Sequence, residues 1–140
     1  MSSNIIIADS SELILKGLQN IFQDNSDTTI YLANDLLILK KYISSVSDPI
    51  LIIDYTSEGF SLENIVGIKY DNPKLKILAI TPYTNAQTIV QAVQAGVESH
   101  LKKECSIKEI KEAYEATLKG KKFFCCDIVN QMRHEQIDVN

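Results

Sequence analysis

The chain has 140 residues, 45% of them hydrophobic and 23% charged, with a formal net charge of −4. This is the composition of one soluble globular domain with a real core, and it excludes a disordered chain. The acidic balance also argues against a broad nucleic-acid-binding face within these residues.

No apolar run approaches the roughly 20 residues of a membrane-spanning helix. The amino terminus, Met1-Ser2-Ser3-Asn4, passes straight into an apolar strand without a leader pattern, so a cytoplasmic location and no membrane attachment are expected. Cys105, Cys125 and Cys126 lack metal-ligand spacing and are expected to be reduced, small apolar residues.

Ile5-Ile6-Ile7-Ala8-Asp9 reads as a short apolar strand ending in an acid. Ser10-Ser11-Glu12 has helix-start chemistry, and Ile14, Leu18, Ile21 and Phe22 give the apolar stripe of that helix. Asp24-Asn25-Ser26-Asp27 stops it. A second strand covers Thr28 to Ala33, and Asn34-Asp35 caps a helix carrying Leu36, Leu39, Ile43 and Val46. Pro49-Ile50-Leu51-Ile52-Ile53-Asp54 then reads as a strand buried on both faces, again with an acid at its exit. A turn-starting role for Asp54 is the simplest alternative.

After a loop with Gly59, Leu62, Ile65 and Val66 mark a short helix that closes at Asp71-Asn72-Pro73. Leu75 to Ile80 is a fourth strand, delivering Thr81 to its end. Thr84 and Gln87 have capping-box spacing ahead of a helix with Ala86, Ile89, Val90 and Val93, and Gly96 stands at a helix carboxyl cap. Val97 to Lys103 reads as a more polar edge strand. Ser106 with Glu109 opens a last helix with Ile107, Ile110, Tyr114 and Leu118.

Strands alternating with amphipathic helices imply an α/β fold: a single doubly wound, five-stranded parallel sheet with helices on both faces. In the flavodoxin-like order 2-1-3-4-5, Asp9 and Asp54 lie side by side at the carboxyl edge, with Thr81 and the residues around Lys103 across the same cleft. Adjacent carboxylates need a cation or a proton between them, and magnesium accepts one or two carboxylates plus water. A carboxylate can also take a phosphoryl group as an acyl phosphate, whose oxygens need an ammonium and a hydroxyl donor. Lys103 and Thr81 are the available pair.

From Asn4 to Leu118 the chain resembles the receiver domain of two-component response regulators. The pieces are Ile-Ile-Ile-Ala-Asp9, Ile-Leu-Ile-Ile-Asp54, Leu-Ala-Ile-Thr81 and Gly96-Val-Glu-Ser-His-Leu-Lys-Lys103, in that order. The resemblance implies a signalling domain rather than an enzyme. Asp54 would be the phosphoacceptor for a histidine kinase, Asp9 part of a Mg2+ pocket, Thr81 the switch hydroxyl and Lys103 its salt-bridge partner. Lys102 is adjacent but belongs to the opposite face of a strand. The backbone carbonyl of Thr56 would complete the protein ligands to the metal.

Several positions depart from the family pattern. Ser10 stands where a second acid is usual and would serve a metal only through bound water. Tyr55-Thr56-Ser57-Glu58-Gly59 replaces the usual acceptor loop, with Glu58 expected as a solvated acid. His100 occupies the position of the switch aromatic, and Pro82 restricts Thr81 to extended conformations.

Residues 1–119 are expected to form the receiver. Residues 120–140 resemble the linker of LuxR-type transcription regulators, whose helix-turn-helix domain would carry any DNA contact and lies outside this chain. Truncation of a longer regulator is the expected origin of the Asn140 end, with a stand-alone receiver as the alternative. A homodimer through the first or fifth helix is a further expectation. The alternatives are a degenerate receiver that works as a phosphorylation-independent interaction module, and a flavodoxin-like cofactor binder. Against the last, Ser10-Ser11-Glu12-Leu13 has no glycine with which to cradle phosphate.

Overall fold

The computed structural model describes residues 3–24, 27–125, 128–130 and 133. Cys126, Asn25-Ser26 of the expected helix stop and most of the chain after Asn130 lie outside the described residues. The elements are β1 (Ser3–Ala8), α1 (Glu12–Phe22), β2 (Thr28–Ala33), α2 (Leu36–Ser45), β3 (Pro49–Ile53), α3 (Leu62–Asp71), β4 (Lys76–Thr81), α4 (Ala86–Ala95), β5 (Ser99–Lys102) and α5 (Ile107–Leu118).

All strand pairs are parallel, and the order is β2-β1-β3-β4-β5, as the alternating pattern requires. Side chains of β3 alternate between two cores. Ile50 and Ile52 join α1 and α5, whereas Leu51 and Ile53 join α2 and α3. Complete burial of such a side chain stabilises the fold by about 1.5–3 kcal/mol, so this run of aliphatic residues holds both layers to the sheet. Because β1 and β3 are in register, with Ala8 opposite Ile53, the next residues, Asp9 and Asp54, leave the sheet together.

Each of α1 to α5 starts on a polar cap that accepts a backbone amide: Ser11, Asp35, Ser61, Asn85 and Ser106, the last in a full capping box with Glu109. The α4 start corrects the sequence expectation. Asn85, not Thr84, is the cap, taking both the amide and the hydroxyl of Thr88. Asparagine is the stronger cap, and it adjoins Ala86, which is fully buried.

Gly96 ends α4 at φ +119°, and a Cβ there would lie 2.6 Å from Lys69 Cγ. The lysine cannot swing aside freely, because its ammonium is tied to the Leu75 carbonyl and to Glu98. Glu98 in turn accepts the Ile77 amide. Gly96→Ala is therefore expected to destabilise the fold by about 2 kcal/mol or more, read as a lowered urea midpoint with an unchanged slope.

Strand β5 is shorter than the Val97–Lys103 expectation and much less exposed. Ser99, His100 and Leu101 are all fully buried. Residues after α5 turn back along it: His100 donates its amide to the Phe123 carbonyl at 3.0 Å and forms a parallel bridge with Phe124. Phe123 and Phe124 pack partly buried against the core, while Cys125 and Ile128 lie inside it.

Candidate acidic site

Asp9 and Asp54 emerge from the central strands at the carboxyl edge of the sheet, 2% and 3% exposed. Their backbone amides stay bonded to the neighbouring strands, Asp9 to Ala33 O and Asp54 to Ala8 O, which holds the carboxylates at fixed positions. Lys103 follows β5 and reaches both, its Nζ lying 2.9 Å from Asp9 Oδ2 and 2.7 Å from Asp54 Oδ2. Burial opposes the ammonium, but hydrogen bonds to Asp54 and then Asp9 outweigh it and hold the lysine above its ordinary value.

The other carboxylate oxygens are also engaged. Asp9 Oδ1 accepts the Ser11 amide at 2.8 Å. Asp54 Oδ1 accepts the Thr56 amide at 2.8 Å and the Thr56 hydroxyl at 2.6 Å. Ser57 Oγ donates to the Asp54 carbonyl and accepts the Ser10 amide, tying the two acid-bearing loops together. The Ser10 residue itself is exposed, as is Glu58.

Among the described residues no cluster of three or more His, Cys, Asp or Glu side chains forms, so the notch holds two acids and one ammonium. Two hard carboxylates already sharing one cation match the ligands of a magnesium ion that keeps most of its water. Thr81 is fully buried at the end of β4, its hydroxyl donating to the Pro82 carbonyl and its own carbonyl accepting the Lys103 amide. Lys102 points elsewhere, its ammonium 5.0 Å from the Tyr83 ring centre.

His100 is tied to this site through a residue that the sequence did not single out. Its Nε2 lies 2.7 Å from the hydroxyl of Tyr55, the residue next to Asp54, and the rings meet edge-on. Burial, and secondarily the Asp54 charge, push the Tyr55 hydroxyl well above its ordinary value. Burial lowers His100 to about 4, outweighing the raising influence of the adjacent Leu101 backbone and of Asp54.

A stability consequence follows from that depression. Above pH 6.5 the ring is neutral in both states, and its contribution is complete. As pH falls below 6.5 the unfolded chain takes up a proton that the folded chain refuses until about pH 4. About 3 kcal/mol is lost across that window. His100→Phe is expected to lack this part of the acid sensitivity, so the difference between the two proteins' urea midpoints should change between pH 7 and pH 4.

Ser57, Ser11 and the side chain of Thr56 were also not anticipated as site groups. Short hydroxyl residues directly after a strand-ending acid were the available signal, since such side chains and amides fold back onto a carboxylate. The Tyr55–His100 pair had no such local signal.

A family model of the response regulator receiver domain matches residues 5–115. The response regulator protein VraR of Staphylococcus aureus is 25% identical over 138 residues, covering 96% of this chain and 65% of that protein's length. Among solved structures, the isolated receiver (REC) domain of RcsB from Salmonella enterica serovar Typhimurium, in the presence of the phosphomimetic BeF3-, superposes with a TM-score of 0.85. Its identity is 22%, and the match covers 94% of this chain and 99% of that one. A LuxR-family two-component response regulator from Aurantimonas sp. SI85-9A1 gives 0.87 at 20% identity, covering 99% and 100%. These two likenesses show the fold. The family match spans most of the chain, from the first strand into the last helix, and takes in Asp9, Asp54, Thr81 and Lys103: the chain belongs to the response regulator receiver domain family.

Proposed function

We propose that this receiver takes a phosphoryl group onto Asp54 from a histidine kinase and passes the change to an interaction face. The observation that carries the reading is the single Lys103 ammonium held by both Asp9 and Asp54 at the carboxyl edge. In the transfer, an Asp54 carboxylate oxygen attacks phosphorus, the bond to the donor imidazole breaks, and an acyl phosphate forms. Lys103 compensates the charge that gathers on the phosphoryl oxygens. The Thr56 amide is positioned to donate to the same group, and Thr81 would give up its Pro82 contact to do so. His100, buried one strand away, would respond as the switch ring.

Asp9 and Asp54 would hold a magnesium ion, with the Thr56 carbonyl and a Ser10-bound water as further ligands. When bound, the ion supplies positive charge to the phosphoryl oxygens. Residues 1–119 act as the receiver and the following residues as the connection to an output domain. DNA contact in a LuxR-type regulator would belong to that domain, and a second copy of the chain is a further partner. The setting is cytoplasmic; among the described residues no helix is long and apolar enough to cross a membrane.

A second reading, a receiver that works without phosphate, is favoured by one observation. Ser10 replaces an acid while the Thr56 hydroxyl already occupies Asp54 Oδ1. Treatment with a small acyl phosphate across a magnesium series, read by intact mass, separates the two. One added phosphate equivalent with saturable magnesium dependence supports the phosphoacceptor; an unchanged mass supports the second reading.

A further inference from the structure

The segment from Lys121 to Cys125 lies along the outer edge of β5, where the sheet would otherwise be open. Its start is tied to α5 by the Lys121 amide, which donates to Ala116 O at 2.9 Å, but its backbone hold on β5 is slight. The His100 amide donates to Phe123 O at 3.0 Å, and the Phe123 amide donates to Ser99 Oγ at 2.9 Å. Ser99 Oγ also meets Thr117 Oγ1 of α5 at 2.7 Å. Among the described residues a lone bridge between His100 and Phe124 is the pairing, against four register pairs between β4 and β5. The residue at the centre of this seat is the one whose ring faces the acceptor loop.

We propose that Lys121–Cys125 is a releasable cap on the sheet edge, and that the Tyr55–His100 hydrogen bond couples its release to occupancy of Asp54. The inference rests on the reading of Asp54 as phosphoacceptor. His100 is fully buried, and among the described residues its Nδ1 has no hydrogen-bond partner. The Tyr55 hydroxyl is therefore the contact that keeps the ring from being a wholly unsatisfied polar group in the core, which is a costly state. Tyr55 sits between Asp54 and Thr56, and Thr56 is fastened to Asp54 Oδ1 by both its amide and its hydroxyl.

A phosphoryl group on Asp54 needs these donors and the space they occupy. The 54–57 loop then re-forms and carries the Tyr55 hydroxyl away from His100. The stranded imidazole turns toward a new partner, and the β5 backbone that seats Phe123 shifts with it. Coupling of this kind brings a change at the carboxyl edge to the residues that leave the domain.

The test follows amide exchange of His100 and Phe123 by NMR in the full chain, with intact mass recording phosphate on the same samples. With a small acyl phosphate and magnesium, both amides should exchange about tenfold faster while Ile52 is unchanged. Tyr55→Phe should show that acceleration without the phosphodonor and gain little more with it. Ser99→Ala, which leaves the acceptor loop untouched, should loosen Phe123 whether or not Asp54 is modified.

A chain that carries phosphate but shows unaltered exchange at both amides would overturn the coupling. So would Tyr55→Phe with wild-type exchange. Absence of the mass gain would count against the Asp54 reading instead, and the Tyr55→Phe comparison would then decide the role of the pair by itself.

Discussion

Asp54→Asn is expected to take up no phosphate from an acyl phosphate under conditions that load the wild-type chain, a loss to background. The amide keeps the shape of the side chain and can still accept from Thr56, so the loop remains in place. It lacks the charge and the nucleophilic oxygen that forming an acyl phosphate requires. The substitution leaves Lys103 paired with Asp9, and a retained cooperative urea transition would show the loss of uptake to be chemical. Phosphate on the variant at the wild-type level would place the acceptor elsewhere.

Lys103→Met is expected to lower stability by about 3 kcal/mol at neutral pH, because it strands two nearly buried carboxylates beside each other without their shared cation. The methionine keeps an unbranched stem of similar length and removes the charge. Two controls identify the cause. Acidification should narrow the difference from wild type as the stranded carboxyls take up protons, and added magnesium should stabilise the variant more than the wild type by occupying the ammonium's place.

At alkaline pH the difference should narrow again, for a different reason. The ammonium is held above its ordinary value, so its contribution is complete below the unfolded lysine value and fades as pH rises through the folded one. The wild type should therefore lose an advantage there that the variant never had. Urea midpoints across pH, with and without magnesium, check all three. A variant as stable as wild type at pH 7 would mean that the two carboxylates do not depend on Lys103.

The parts of this molecule that were legible in its residues are those with local causes. Ile50 to Ile53 can be buried on both faces only in an interior strand, and Asp54 at its end then has one place to go. Ser11, Asp35 and Ser106 cap helices because their side chains reach amides three residues on. The choice between Thr84 and Asn85 turned on one residue of helix start, and the burial of Ala86 decided it. Asp9, Asp54 and Lys103 could be brought together because the strand order follows from alternation and crossover handedness.

What could not be read depends on which distant side chains meet. Tyr55 and His100 are 45 positions apart, and the hydrogen bond between them depends on how β5 is set against the acceptor loop. The polarity of Ser99-His100-Leu101-Lys102 suggested exposure. It instead reflects bonds made sideways, to Tyr55, Thr117 and a returning segment. Polar residues in a short strand mark solvent only when nothing else supplies their partners.

The location of Cys125 has a practical consequence. Its thiol is 1% exposed, so an alkylating reagent can reach it only while its surroundings are open. Burial pushes the neighbouring Cys105 thiol up to about 12, making it a slow nucleophile that will not compete early in labelling. The rate at which Cys125 acquires a label, separated from that of the adjacent Cys126 by fragmentation of their shared peptide, thus serves as an internal clock for how often the end of the domain departs from its bed, without any probe being attached beforehand.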